Sequence, residues 1–409
     1  MLKRCRRHCG AIWPNSVSFD VAAHLGHESA GFQRHTAGTD LVNQPLISRI
    51  VADLPVMVPF VGPESIERSR GRAFRARLGA NESAFGPSPT AIVAMREAAQ
   101  TQWKYCEPEN YELREALARF HGVKPANIVI GEGIDGLLGL AVRIASDPGT
   151  PVVTSDGAYP TFNFHVAANG ARLVKVPFCA DREDLQALLD TTRHEGARIL
   201  YISNPNNPMG SWWTAAEIER LIEKLPGRMV LLLDEAYADT APVEAIPALD
   251  VSHPQVLRFR TFSKAYGLAG ARIGYAIGAE EMIALFEKVR NHYGINRVAQ
   301  IGALAALADQ QHLAAAVAWI ARQRDRIAAI ARDNGLVALP SATNFVAIDC
   351  GGDGAYAAHI LAALTDRDIF IRKPIVPPLD RTIRISCGTD AELDVLAEAL
   401  PDAVRVAQR

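Results

Sequence analysis

The sequence has no long apolar run: its longest, such as MVLLL at 229–233, falls far short of the roughly 20 residues that cross a bilayer. No membrane-spanning helix is expected. A surplus of either charge is also missing, since 43 Lys and Arg stand against 45 Asp and Glu for a net charge of −2. That excludes the basic excess that drives unspecific binding to nucleic acid or an anionic membrane. Cysteine is sparse, and Cys5, Cys9, Cys106, Cys179, Cys350 and Cys387 lie scattered with no Cys-x-x-Cys pair. The Cys5/His8/Cys9 group lacks a second ligand pair, so no metal is expected, and a reducing cytoplasm fits this usage. There is no internal repeat or low-complexity tract. Residues 1–43 are basic at the start but have no continuous apolar stretch and no helical or strand period. They read as a disordered extension rather than a secretory signal.

What is present is enough apolar residue for a large core: 49% of 409 residues. From Pro45 the pattern becomes regular, with LISRIVADL spaced like a short amphipathic helix and VPFVGPE as a connection. The middle of the chain alternates β-rich runs (127–130, 151–155, 172–177, 198–203, 229–234 and 256–262) with helical stretches. Such alternation predicts βαβ units and a parallel sheet covered on both faces, an α/β fold. Beyond Asn291 come long alanine-rich helical segments closed by Asn334-Gly335, then strand-like runs at 344–349, 369–372 and 382–386. These suit a second, smaller α+β domain.

One motif points to a function that the others do not support. GEGIDG at 131–136 matches G-x-G-x-x-G between a strand and a helix, with Asp156 about 20 residues further on, as in dinucleotide-binding sites. Taken alone it suggests an NAD-dependent dehydrogenase. Yet backbone amides at a helix N-terminus bind any phosphate. At other strand ends stand Asp234 in LLLDEAY, the Asn-Pro turns of SNPNNPMG at 203–210, and Lys264 in RTFSKAYGLAGARIGY. Each singly has a plain structural reading as a cap, a turn or a surface lysine. Their order together does not.

With ANESAFGPSP, KYCEPENYELREALARF, YPTFNF, SATNF and RISCGT, these segments make the chain resemble the pyridoxal-5'-phosphate (PLP) enzymes of the aspartate aminotransferase fold. Within them it looks like the histidinol-phosphate and aromatic aminotransferase group, from about residue 45 onward. The resemblance implies a large PLP-binding domain over 101–293, a small domain over 294–409, and an arm with part of the small domain over 44–100. It implies amino transfer between an amino acid, or a histidinol-phosphate-like amine, and a 2-oxo acid.

The same resemblance gives each residue a role. Lys264 matches the lysine that forms the aldimine with the cofactor and shuttles the Cα proton, Asp234 the partner of the ring nitrogen, and Tyr237 and Asn207 the groups on the ring oxygen. Phe162 matches the aromatic stacked on the ring. The amides of Ile134 and Asp135, with Thr261, Ser263 and Arg272, match the phosphate site. Tyr105 matches a tyrosine reaching the neighbouring subunit's phosphate, which implies a homodimer. Arg384 matches the carboxylate-gripping arginine, and Asn81 and Asn344 match positions near the substrate; Arg372 reads either as a second anion contact or as a solvated arginine at a strand end.

The chain departs from the pattern at Phe85, where a tyrosine is usual, at Met209 in place of threonine, and at Trp212 and Trp213. Phe85 lacks a hydroxyl for a substrate phosphate, which puts histidinol phosphate itself in question. A PLP-dependent decarboxylase or cyclase on the same fold remains the alternative. A regulator with a degenerate aminotransferase body would need an N-terminal DNA-binding domain, and the leader is too short and unpatterned for one.

Overall fold

The computed structural model describes residues 46–52, 54 and 60–408, nearly all of them in the compact unit Ser48–Arg409. The expected extension over 1–43 and the Cys5/His8/Cys9 group lie outside the described residues. Among the described residues twelve strands form three sheets: β1 (Ala76–Arg77), β2 (Ile128–Gly131), β3 (Pro151–Ser155), β4 (Arg172–Val176), β5 (Ile199–Ser203), β6 (Val230–Asp234), β7 (Val256–Thr261), β8 (Gly274–Ile277), β9 (Val337–Ala338), β10 (Phe345–Asp349), β11 (Ile369–Phe370) and β12 (Thr382–Ser386).

The large sheet runs β2-β8-β7-β6-β5-β3-β4. From β7 through β4 the neighbours are parallel, as the βαβ alternation predicts. Strands such as ILYIS and VLLLD are apolar nearly throughout because both faces are covered. Ile199, Tyr201, Leu232, Leu257 and Phe259 pack under the helices Gly133–Ala145 and Pro160–Ala168. Leu200, Ile202, Leu231, Leu233 and Val256 pack on the other face, against Leu188, Leu189, Ile218 and Leu221. The period of two therefore sends successive residues at a strand end to opposite sides of the sheet.

A strand that the sequence reading passed over, β8, changes the topology. It lies antiparallel to both β7 and β2. This separates GEGIDG from Asp156 by the width of the sheet, because β2 is one edge strand and β3, which Asp156 follows, lies five places away in the order. A ribose beside the first cannot reach the second, and Asp156 instead pairs with Lys175 at 3.0 Å. The dinucleotide reading fails on that geometry.

The smaller part has the antiparallel sheet β12-β10-β9 and the parallel pair β1-β11. The helices Gln310–Asp333, Gly354–Asp366 and Asp390–Ala407 share a core with them. The alanine-rich stretch is two helices rather than one, because Asp309 breaks it and caps the second by accepting from the His312 amide at 3.1 Å. No helix among the described residues is long and apolar enough to cross a membrane, and no three of their His, Cys, Asp and Glu gather as a metal site.

Candidate active site

The carboxyl ends of β5, β6 and β7 bring Ser203, Asp234 and Thr261 to one edge of the sheet, where open α/β sheets place their ligands. Asp234 follows Leu232 in phase and so points to the face carrying Tyr201. Its Oδ2 accepts from Tyr201 Oη at 2.8 Å and its Oδ1 from the Ala236 amide at 2.9 Å. It is 6% exposed, and burial pushes its carboxyl up to about 6. An acid so held carries its charge at a penalty, which a cation or N–H facing it would relieve.

Lys264 follows β7 on the turn Phe262–Gly267. Its Nζ donates to the Asn81 carbonyl at 3.0 Å and stands 5.5 Å from the centre of the Tyr237 ring. Burial, then the positive charges of Arg384 and Arg272, pull its ammonium down to about 8 against the partial support of Asp234. Asn81 is the junction of this region. Its Nδ2 donates to Tyr237 Oη at 3.2 Å, its Oδ1 accepts from Ser386 Oγ at 3.0 Å, and its carbonyl also accepts from Asn344 Nδ2 at 3.0 Å. Its φ of 55° lies in the left-handed region, which asparagine tolerates better than most residues.

An anion cup lies at the N-terminus of the helix Gly133–Ala145. Gly133 has φ +77°, which favours glycine, and the Arg272 guanidinium lies against it, since a Cβ there would come within 2.7 Å of Nη2. A Cβ on Gly274 would sit 3.0 Å from the Ile134 amide. Thr261 and Ser263 bring hydroxyls, and Arg272 Nη1 reaches Ser263 Oγ at 3.5 Å. Amides, two hydroxyls and a guanidinium without an ion pair among the described residues form a donor set suited to a phosphate.

Opposite Lys264, Arg372 and Arg384 exchange backbone hydrogen bonds across an antiparallel bridge. Arg384 Nη1 donates to Asn207 Oδ1 at 2.6 Å, and its guanidinium lies 5.1 Å from the Phe345 ring centre. Arg372 donates to the Val61 carbonyl and stacks 4.1 Å over Phe60. The Nε of both arginines and Oδ1 of Asn344 are buried without a partner, and among the described residues neither arginine has a carboxylate in ion-pair range. Burial lowers both pKa values; Arg372, with Arg384 beside it, comes down to about 10.

The chain thus gathers Lys264, Asp234, Tyr237, Asn207, Asn81, Asn344 and Arg384 around one cleft, with Thr261, Ser263, Arg272, Ile134 and Asp135 at its cup. Phe162 and Tyr105 have other surroundings. Phe162 has no exposure at all and stacks on Tyr201, rings 4.1 Å apart and 14° from parallel. Its ring therefore faces Tyr201, with no surface open to the cleft in this structure. Tyr105 is 84% exposed, with its ring centre 5.2 Å from that of Tyr293.

Sequence reading passed over Tyr201, Ser386 and Tyr159. Tyr159 is half-buried at the head of the helix carrying Phe162, and its phenol, pushed up to about 12 by burial, feels the charges of Asp135, Asp234 and Arg272. The usable signal was its place directly before Pro160, which starts that helix. Phe85 packs against His312 and Trp319, with ring centres 5.0 and 5.7 Å away.

The chain matches the family described as aminotransferase class I and II over residues 76–400. It is similar to the histidinol-phosphate aminotransferase of Roseiflexus castenholzii, 35% identical over 361 residues that span 85% of this chain and 96% of that one. The crystal structure of histidinol-phosphate aminotransferase from Sinorhizobium meliloti in complex with pyridoxal-5'-phosphate is 52% identical, with a TM-score of 0.87 over 90% of this chain and 99% of that one. Aspartate aminotransferase from Thermus thermophilus with maleate is 25% identical with a TM-score of 0.74, over 88% and 100% of the two chains.

Proposed function

The chain belongs to the class I and II aminotransferases, which work with PLP, and we propose that it moves an amino group between a phosphorylated amine of the histidinol-phosphate type and a 2-oxo acid. One observation carries the substrate class: Arg384 and Arg372 are neighbouring, largely buried guanidiniums with unpartnered Nε atoms and no carboxylate beside them among the described residues. Burying two cations without counter-ions is unfavourable, so a strongly anionic ligand group is what this place is built to receive. An aminotransferase handles a donor and an acceptor in turn, and the same pair suits the phosphate of one and the carboxylate of the other.

The residues fit PLP, given the donor set of the cup, the buried Asp234 and the lowered Lys264. When bound, PLP supplies an electron sink for negative charge developing at the substrate Cα. Asp234 holds a proton on the ring nitrogen. Lys264 Nζ would hold the cofactor and move the proton at Cα; its depressed pKa leaves a usable fraction of neutral amine near neutral pH. Tyr237 and Asn207 orient the ring oxygen, and Asn81 fixes Tyr237. The cup would bind the phosphate, and Tyr159, whose phenol feels Asp135, Asp234 and Arg272, would cover one ring face. Asn344 positions the Asn81 segment beside the substrate.

We also read the protein as a cytoplasmic homodimer with a large domain over 101–293, a small domain over 294–409 and an arm with part of the small domain over 44–100. Trp103 and Tyr105, 81% and 84% exposed, form an aromatic surface of the kind subunit interfaces cover. Tyr105 is assigned to the partner's phosphate.

The test is the half-reaction followed by the cofactor's visible spectrum, with histidinol phosphate, histidinol, glutamate and aromatic amino acids as donors. Histidinol phosphate is expected to outpace histidinol by at least about tenfold, the value of one charge-assisted hydrogen bond. Equal rates for the two would overturn the substrate class. Release of carbon dioxide from an amino-acid donor, with an amine and no 2-oxo acid as its product, would favour the decarboxylase reading.

A further inference from the structure

One residue of the anion cup carries the wrong charge for its place. Asp135 is the third residue of the helix Gly133–Ala145, and its backbone amide is among those assigned to the phosphate, yet its side chain is a carboxylate. Left to rotate, that carboxylate would stand beside the phosphate and repel it. Instead its Oδ1 lies 3.1 Å from His165 Nε2.

His165 comes from the neighbouring helix Pro160–Ala168. Its ring is seated against Gly139, where a Cβ would come within 2.8 Å of Nδ1. Gly139 sits in the middle of its helix, a position where glycine is less stable than alanine by about the full range of ordinary helix propensities. The methyl that is missing there is the space the imidazole occupies. Both members of the pair are partly exposed, with side-chain accessibilities of 21% for His165 and 33% for Asp135, so a simple surface ion pair would contribute little to stability. A glycine spared for it points to another use.

We propose that His165 is a positioning residue for the phosphate end of the cofactor: by holding Asp135, it turns that carboxylate off the cup and leaves the Asp135 amide to meet the phosphate. The inference rests on the PLP reading of the cup, and the experiment separates the two.

Cofactor-free protein is titrated with PLP, the dissociation constant being read from protein fluorescence and visible absorbance, with inorganic phosphate as a competing probe. The parent protein binding PLP, with a borohydride-fixed pyridoxyl group on Lys264, tests the site itself. His165→Ala is expected to raise the constants for PLP and for inorganic phosphate by about tenfold, in the range of measured side-chain couplings. Adding Asp135→Asn to His165→Ala is expected to restore both to within about threefold of the parent, because the released carboxylate is then gone. His165→Asn, which keeps a donor, lies between, and it carries the test should the alanine variant not fold. Unchanged binding in His165→Ala, or a double variant no better than the single one, overturns the proposal while leaving the PLP site standing.

Discussion

Asp234 and Glu235 are consecutive acids at the end of the same strand, and they have opposite fates. Asp234 turns to the cleft, is bonded by a phenol and an amide, and is held up to about 6 by burial with no ion pair among the described residues. Glu235 turns to the other face, where Arg258 Nη2 lies 2.6 Å and Arg260 Nε 2.8 Å from its carboxylate oxygens, and these arginines hold its pKa low in spite of burial. The pleat sends one to a place that needs charge on demand and the other to a place where charge is already balanced. A buried charge that is fully paired is architecture; one left short of partners is where a ligand belongs. Arg384 and Lys264 stand with Asp234 on the short-handed side.

The comparison breaks most sharply at Lys264. Lys264→Ala is expected to lower turnover by about 10⁴-fold, the upper range for a lost proton-transfer group, and to abolish borohydride fixation of pyridoxyl on the chain. In the parent, attachment of PLP to the cofactor-free protein should quicken with rising pH through about 8, where half of the amine is neutral, and level off about one pH unit higher.

Next comes the pair itself. Glu235→Ala leaves Arg258 and Arg260 buried without their counter-charge and should cost about 3–5 kcal/mol in urea unfolding. Asp234→Asn should lower turnover by about 10³-fold with no loss of unfolding free energy. The sign comes from linkage. The folded pKa of Asp234 lies above its ordinary 3.8, so the charged form is penalised above about 6 and the penalty vanishes below 3.8. The stability advantage of cofactor-free Asp234→Asn over the parent should therefore be full at pH 7 and fade as the pH falls from 6 to 4. An advantage independent of pH would place Asp234 on the structural side with Glu235.

A smaller effect is expected at Arg384→Lys, which keeps the charge and loses the planar fork. KM for the 2-oxo acid should rise by 10- to 100-fold, about 1.5–3 kcal/mol, with kcat less affected. Smallest is Phe162→Leu, expected to cost about 1 kcal/mol of stability and leave PLP affinity unchanged, whereas Tyr159→Ala should weaken PLP binding. The reverse result would restore Phe162 to the ring.

Much of this was legible in the chain. The apolar strands followed by Asp234 and Lys264 were recognisable because strand period, turn chemistry and the place of ligands at strand ends are all local rules. The antiparallel β8 was missed because GYAI is short, with glycines on either side of YAI, and comes after a glycine-rich loop, so no local period announces it. Phe162 and Tyr159 are both aromatics within one YPTF segment, and spacing alone does not show that Phe162 packs on Tyr201. Likewise nothing in the spacing of Asp135 and His165 shows that they meet.

The sequence by itself determined the class of fold, through strand and helix periods a few residues long, and through the order of its motifs a resemblance that implied the cofactor and the residue types that serve it. Only the tertiary structure decided which charges were left unpaired. That depends on residues far apart in the chain, such as Arg384 and Asn207 or Asn81 and Lys264, and burial gives an unpaired group its altered proton affinity only once those residues enclose it.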